Sequence, residues 1–194
     1  MKRLFDLYTR VLGTHPFATN AVSGFIIASV GDVAAQLFEQ RILKDASHTE
    51  EERWSFDARR TLQLGLIRSA IIAPFISFWY PFLARTFQST VSKIAFDQAF
   101  GSPLVIGGVF AANEILSSGT FSFSTFSDKF LKDGCSAWKL GVQYWPLVHI
   151  VTFGILPVRH QPLFAHAASV PWNAVLSHYA NKLDRDQQQL RRLE

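Results

Sequence analysis

Cysteine is nearly absent. Cys135 stands alone among 194 residues, so no intramolecular disulfide can close and no thiolate cluster can hold a metal. Charge is scarce too, at 18% of residues against roughly 25% in ordinary soluble domains. The net charge of +4 is spread over loops and ends rather than stacked on one face, which argues against a nucleic-acid partner and suits anionic lipid. There is no phosphate-binding loop, no dinucleotide fingerprint, no G-x-S-x-G elbow and no grouped Cys/His pattern. With these signatures missing, neither an enzyme activity nor a cofactor or metal site is expected.

What the chain has instead is apolar and aromatic surface: 48% hydrophobic residues, with 18 Phe, 5 Trp and 4 Tyr. Such rings suit lipid-facing surfaces and the headgroup belt. The long apolar stretches are each interrupted by a residue that hydrocarbon rejects, namely Asp32, Arg68, Glu114, His149 and Asn173. A polar group there costs several kcal/mol unless it faces a bundle interior or a water path, so the pattern predicts an all-α, multi-pass transmembrane bundle.

The start of the chain has Lys2, Arg3 and Arg10 around Leu4, Phe5, Tyr8, Val11 and Leu12 at helical spacing, which predicts an amphipathic interfacial helix. It lacks the apolar core and cleavage site of a secretory signal and is compatible with mitochondrial import. Three spanning segments follow at Phe17 to Phe38, Leu62 to Phe87 and Ile94 to Leu116, each near the ~20 residues that cross a bilayer. Pro74 predicts a kink or break in the second, and Trp79 with Tyr80 an interface or packed end. Ser47 and Glu50 read as a capping box in the polar connection between the first two spans, and Gly119 to Thr125 as a loop.

A further helical region begins within Thr125 to Asp128 and runs to Pro157. After it, Leu163 to Tyr179 is expected to be broken by Pro171; whether these last stretches make one span or two stays open. The expectation is about four spans in one membrane-embedded domain, residues 1–180, with a hydrophilic tail at 181–194. Charges in the first connecting loop offset those at the ends, so the positive-inside rule gives no orientation.

Gly24, Ala28, Gly31 and Ala35 recur every three or four residues, as do Gly107, Gly108, Ala111 and Ala112, predicting close helix contacts. Asp32 and Gln36 share a helical face and would either line a cation-attracting pore or lock helices together, with Arg59, Arg60 or Arg68 as partner. Asp97 is expected to cap the third span and Glu114 to be a solvated interfacial charge. His149 and Thr152 lie on one face, where His149 would relay protons or bond a neighbouring helix. Cys135 has no basic cluster beside it and is expected to be inert. The partners expected are the lipid bilayer and either another copy of the chain or other membrane proteins.

Pro16, Gly24, Gly31, Asp32 and Gln36, then Asp57, Arg59, Pro74, Trp79 and Tyr80, then Asp97, Gln98 and Pro103 occur in an order and spacing that resemble one family. Trp145-Pro146, Phe153, Pro157, Trp172-Asn173 and Leu176-Ser177 extend the match over nearly the whole chain. The family is that of Mpv-seventeen and the twenty-two-kilodalton peroxisomal membrane protein. The chain departs from its pattern at Phe5, His149, Thr152, Gln161 and Val175. The resemblance implies a small helical protein of the mitochondrial inner membrane, or alternatively the peroxisomal membrane. It also implies channel-like activity in organelle homeostasis; the alternative, in which the intramembrane polar residues only glue helices together, is a non-conducting structural or assembly role.

Overall fold

The computed structural model describes residues 2–46 and 56–173. The Ser47–Glu50 capping box and the hydrophilic tail lie outside them. Helix α1, Lys2–Thr14, is separated by His15 from α2, Pro16–Ala46, where proline takes the first helical position that needs no N–H donor. Helix α3 comprises Ala58–Ile67, a π-helical turn at Arg68–Ile72, and Ala73–Thr86. Helix α4 comprises Thr90–Phe96, a π turn at Asp97–Gly101, and Ser102–Ser118. Helix α5 comprises Phe123–Lys129, a π turn at Phe130–Gly134, and Cys135–Gly154; α6 covers residues 161–173.

Two of the π turns answer a steric problem. A proline inside a helix has no N–H and its ring presses on the carbonyl four residues back. Pro74 and Pro103 each follow a π turn by one residue, and the carbonyl each would strike, that of Ala70 or Ala99, lies inside the widened turn. Ala73 N–H bonds the Arg68 carbonyl and Ser102 N–H that of Asp97, five residues back in both cases. The break expected at Pro74 is therefore a local widening, and α3 continues through it. Pro171 likewise does not break the described part of α6.

Ends are set by local chemistry. Asp57 caps α3 by accepting from Arg60 N–H at 2.9 Å, and Ser122 caps α5 by accepting from Thr125 N–H at 3.4 Å. Gly119 ends α4 with a φ of 77°, a left-handed conformation that side chains resist.

Helix α2 shows how the chain sorts its faces. Asn20, Gly24, Ala28, Asp32 and Gln36, four residues apart, are buried, while Val22, Ile26 and Val30 are more than half exposed. Polar and small residues face protein and large apolar ones face outward, as a lipid environment requires. The segments Pro16–Gln40, Ala58–Thr86 and Thr90–Leu116 are long and apolar enough to cross a membrane. Cys135–Gly154, 20 residues, also reaches the length of a ~30 Å hydrocarbon core, but Lys139, Gln143 and His149 make it more polar.

Each helix from α2 onward packs antiparallel on its successor. Gln36 meets Asp57 while Asn20 meets Ser77; Gln63 meets Asn113 while Trp79 meets Asp97; Glu114 meets Ser122 while Gln98 meets Trp138. Tyr144 donates to the Ala168 carbonyl at 2.6 Å, which pairs α5 with α6. The circle closes on α2, where Gly24 faces His166 and Gly31 faces Val170. Among the described residues, five helices thus form a ring, with an apolar core at one end built from Ile72, Ile76, Trp79, Tyr80, Leu83 and Phe153.

Candidate solute cavity and its polar networks

Asp32 is 3% exposed and every neighbouring polar group converges on it. Its Oδ1 lies 2.8 Å from Arg60 Nε, and its Oδ2 accepts from Thr61 Oγ1 at 2.6 Å and Gln36 Nε2 at 2.7 Å. Gln36 Oε1 accepts from Asp57 N–H at 2.8 Å, and Arg60 reaches Glu39 through both terminal nitrogens at 3.0 and 3.3 Å. Of the three arginines considered as partner, the one used is Arg60, in the first turn of α3. This network pins α2 to the start of α3; both Asp32 oxygens are engaged by protein rather than offered to a passing ion.

A second buried carboxylate lies toward the opposite end of the ring. Asp97, 6% exposed, accepts from Trp79 Nε1 at 2.8 Å and from Gln98 Nε2 at 3.1 Å, and its Oδ2 is 3.0 Å from His149 Nε2. The imidazole stacks on Phe153 and Trp145, at centroid distances of 4.7 and 5.6 Å, with Tyr80 edge-on. Asp97 therefore does not cap a helix. It sits in the π turn of α4 and joins α3, α4 and α5 inside an aromatic cage.

Glu114 is also not a solvated charge. It is 6% exposed and accepts from Ser122 N–H at 2.9 Å, tying the end of α4 to the start of α5. Thr152, fully buried and three residues after His149, donates to the Val148 carbonyl of its own helix at 2.9 Å. Cys135 is exposed. Among the packing residues, a Cβ on Gly24 would lie 2.8 Å from His166 Cε1, on Gly31 2.9 Å from Val170 Cγ2 and on Gly108 3.2 Å from Ile71 Cγ2. Ala28 is buried and Ala112 packs on the core.

Between the two networks the ring holds a partly open cavity of about 190 Å³. All five helices line it: Ala28 from α2, Arg68 and Tyr80 from α3, Ser102 from α4, His149 from α5, Trp172 and Asn173 from α6. Most of the remaining wall is Ile, Val, Phe and Trp. A wider recess of about 470 Å³, edged by Asp57, Arg59, Arg60, Gln63 and Asn113, lies at the Asp32 end. Leu64 lines both spaces. The polar recess thus adjoins the cavity across Leu64, and the Trp79–Asp97–His149 cage forms part of the cavity wall. Among the described residues, no group of His, Cys, Asp and Glu is arranged to hold a metal ion.

Comparison with known proteins finds relatives that match along nearly the whole chain. Protein sym-1 of Neurospora crassa is 30% identical over 182 residues, covering 90% of this chain and 97% of that protein. The chain belongs to the Mpv17 / PMP22 family. The family model matches residues 117–177, from the end of α4 through α5 and α6. PXMP2/4 family protein 1 of Dictyostelium discoideum is 27% identical over 191 residues, covering 93% of this chain and 88% of its own. Mitochondrial inner membrane protein Mpv17 of Xenopus laevis is 27% identical over 188 residues, covering 94% and 99%. No solved structure matches. With the membrane-length helices, these relatives identify a multi-pass protein of the mitochondrial inner membrane.

Proposed function

We propose that this Mpv17 / PMP22 family member is a gated, non-catalytic pathway for small solutes, whose route is the cavity within the five-helix ring. The observation that carries this reading is a space lined by every helix of the ring, with Leu64 as the wall it shares with a polar recess. A bundle whose role was only structural would gain stability by filling that space, since interiors pack to crystal-like density. The structure is the closed form of the pathway. Trp79, Asp97 and His149 with their aromatic neighbours plug one end, and opening requires α3, α4 and α5 to part there.

Asp32 takes no part in conduction on this reading, because its oxygens are held by Arg60, Thr61 and Gln36. The same network supports the runner-up, a non-conducting assembly factor whose polar residues only fix helix packing. Flux of a small neutral solute from proteoliposomes separates the two. Wild type should release it, and Leu64→Trp, which places a bulky ring between recess and cavity, should reduce release at least tenfold while leaving the helical content unchanged. Equal release from wild type, Leu64→Trp and protein-free vesicles would reject the pathway.

A further inference from the structure

Arg68 lines the central cavity, near the middle of a membrane-length helix, yet it makes no hydrogen bond and no ion pair among the described residues. Arg68 is half-buried, and the fully buried acids differ from it: Asp32 has Arg60, Asp97 has His149 and Glu114 has the Ser122 amide. A guanidinium in a bundle interior is costly to keep without an acceptor, and it presents a planar fork matched to carboxylate and phosphate. Ten residues separate Arg68 from the start of α3, a rise of about 15 Å, well inside the span.

We propose that the cavity is a binding site for a compact organic anion whose carboxylate or phosphate is held by Arg68. This names the solute class of the pathway proposed above and so rests on that reading. Size sets the scale of the ligand: about 190 Å³ compares with the roughly 150 Å³ of an engineered cavity that takes up benzene, enough for a skeleton of a few carbons.

Polarity limits it further. Ile67, Ile72, Val105 and Val109 surround the site and give little hydration; Asp97 also lines it, but its oxygens are engaged by Trp79, Gln98 and His149, so the charge of Arg68, unpaired among the described residues, dominates recognition and favours a monoanion over a bulky polyanion. Two other lining residues, Gln98 and His149, each keep a buried atom without a hydrogen-bond partner, Oε1 and Nδ1. Both atoms can accept, so a hydroxyl on the ligand would find a partner after a small side-chain rotation. A short hydroxycarboxylate combines these features, and lactate is the probe.

The test measures equilibrium binding of radiolabelled lactate to the full chain in nanodiscs, with competition by inorganic phosphate and by lactamide, the uncharged amide of the same size. Lactate should bind saturably, phosphate should compete and lactamide should not. Arg68→Gln should weaken binding at least tenfold, Arg68→Lys should retain part of it, and Lys132→Gln, altering an exposed charge that lines neither space, should leave it near wild type. Should Arg68→Gln fail to fold, Ser102→Phe, which fills the cavity and leaves Arg68 in place, should abolish binding in its stead.

Lactamide binding as well as lactate, or lactate binding indifferent to a folded Arg68→Gln, would overturn the anion site. The flux assay fails independently of this one. Lactate binding without solute release keeps the anion site and rejects the pathway, whereas release of neutral solute without lactate binding rejects the anion site and keeps the pathway.

Discussion

Asp32 and Asp97 are both buried carboxylates in a membrane bundle, yet their partners give them different work. Asp32 is held by a guanidinium, a hydroxyl and an amide, so removing its charge removes a structural clasp. Asp32→Asn should lower stability by about 2 kcal/mol, the range for a buried hydrogen bond to a charged group, read from denaturant unfolding in detergent. The charge preference of solute flux should stay as it was; a change in preference would return Asp32 to the pathway. The Asp32–Gln36 pairing is legible in the sequence, because residues four apart share a helix face, and Arg60 is one of three partners named there. The Asp97–His149 pair is not. It joins residues far apart in sequence, and Asp97 lies in a π turn, where regular helical spacing does not hold. Glu114 departs from its expected role for a related reason: nearness to a loop suggests solvent, but its backbone partner Ser122 lies within that loop.

At the scale of helices, the glycines test which contacts the ring depends on. Gly24 and Gly101 leave no room for a methyl group. A Cβ at Gly24 meets His166 and Arg68 at 2.8 and 3.1 Å, and one at Gly101 meets Trp79 Nε1 and Asp97 Oδ1 at 2.6 and 2.7 Å. At Gly107 the nearest atom is a Phe130 ring carbon at 3.6 Å, an ordinary contact. Gly24→Ala and Gly101→Ala should each cost about 1–3 kcal/mol through overpacking. Gly107→Ala should be neutral or slightly stabilising through lost unfolded-state freedom. Thermal unfolding of the three variants side by side checks the order. The sequence places both small-residue stripes on contact faces, because spacing alone determines a face. It cannot rank their members, which depends on what stands opposite. The same limit explains the prolines: Pro74 announces a disturbance in α3, but a widened turn rather than a break follows from how the neighbouring helices hold the backbone on either side.

The whole molecule reads as a ring with one wet end and one aromatic end. The order of its apolar helices is legible in the chain, because membrane length and apolarity are properties of composition; their number is not, since the last two apolar stretches read equally as one span or two. That α6 closes the ring on α2 is not, because it rests on Gly24 and Gly31 meeting His166 and Val170. The ring makes a claim about its resting state. If the Trp79–Asp97–His149 cage is a plug, weakening it should increase flux rather than abolish it. His149→Phe keeps a flat ring for stacking on Phe153 and Trp145 but removes the nitrogen that bonds Asp97. Loss of ~1.4 kcal/mol from the closed state raises the open population about tenfold, and a buried bond to a charged group supplies at least that. Resting release from proteoliposomes bearing His149→Phe should therefore exceed wild type by about tenfold. Thr152→Val, which removes a hydroxyl bonded only to its own helix, should leave release unchanged. Reduced release from folded His149→Phe would place His149 in the conducting machinery and put the closing element elsewhere in the ring.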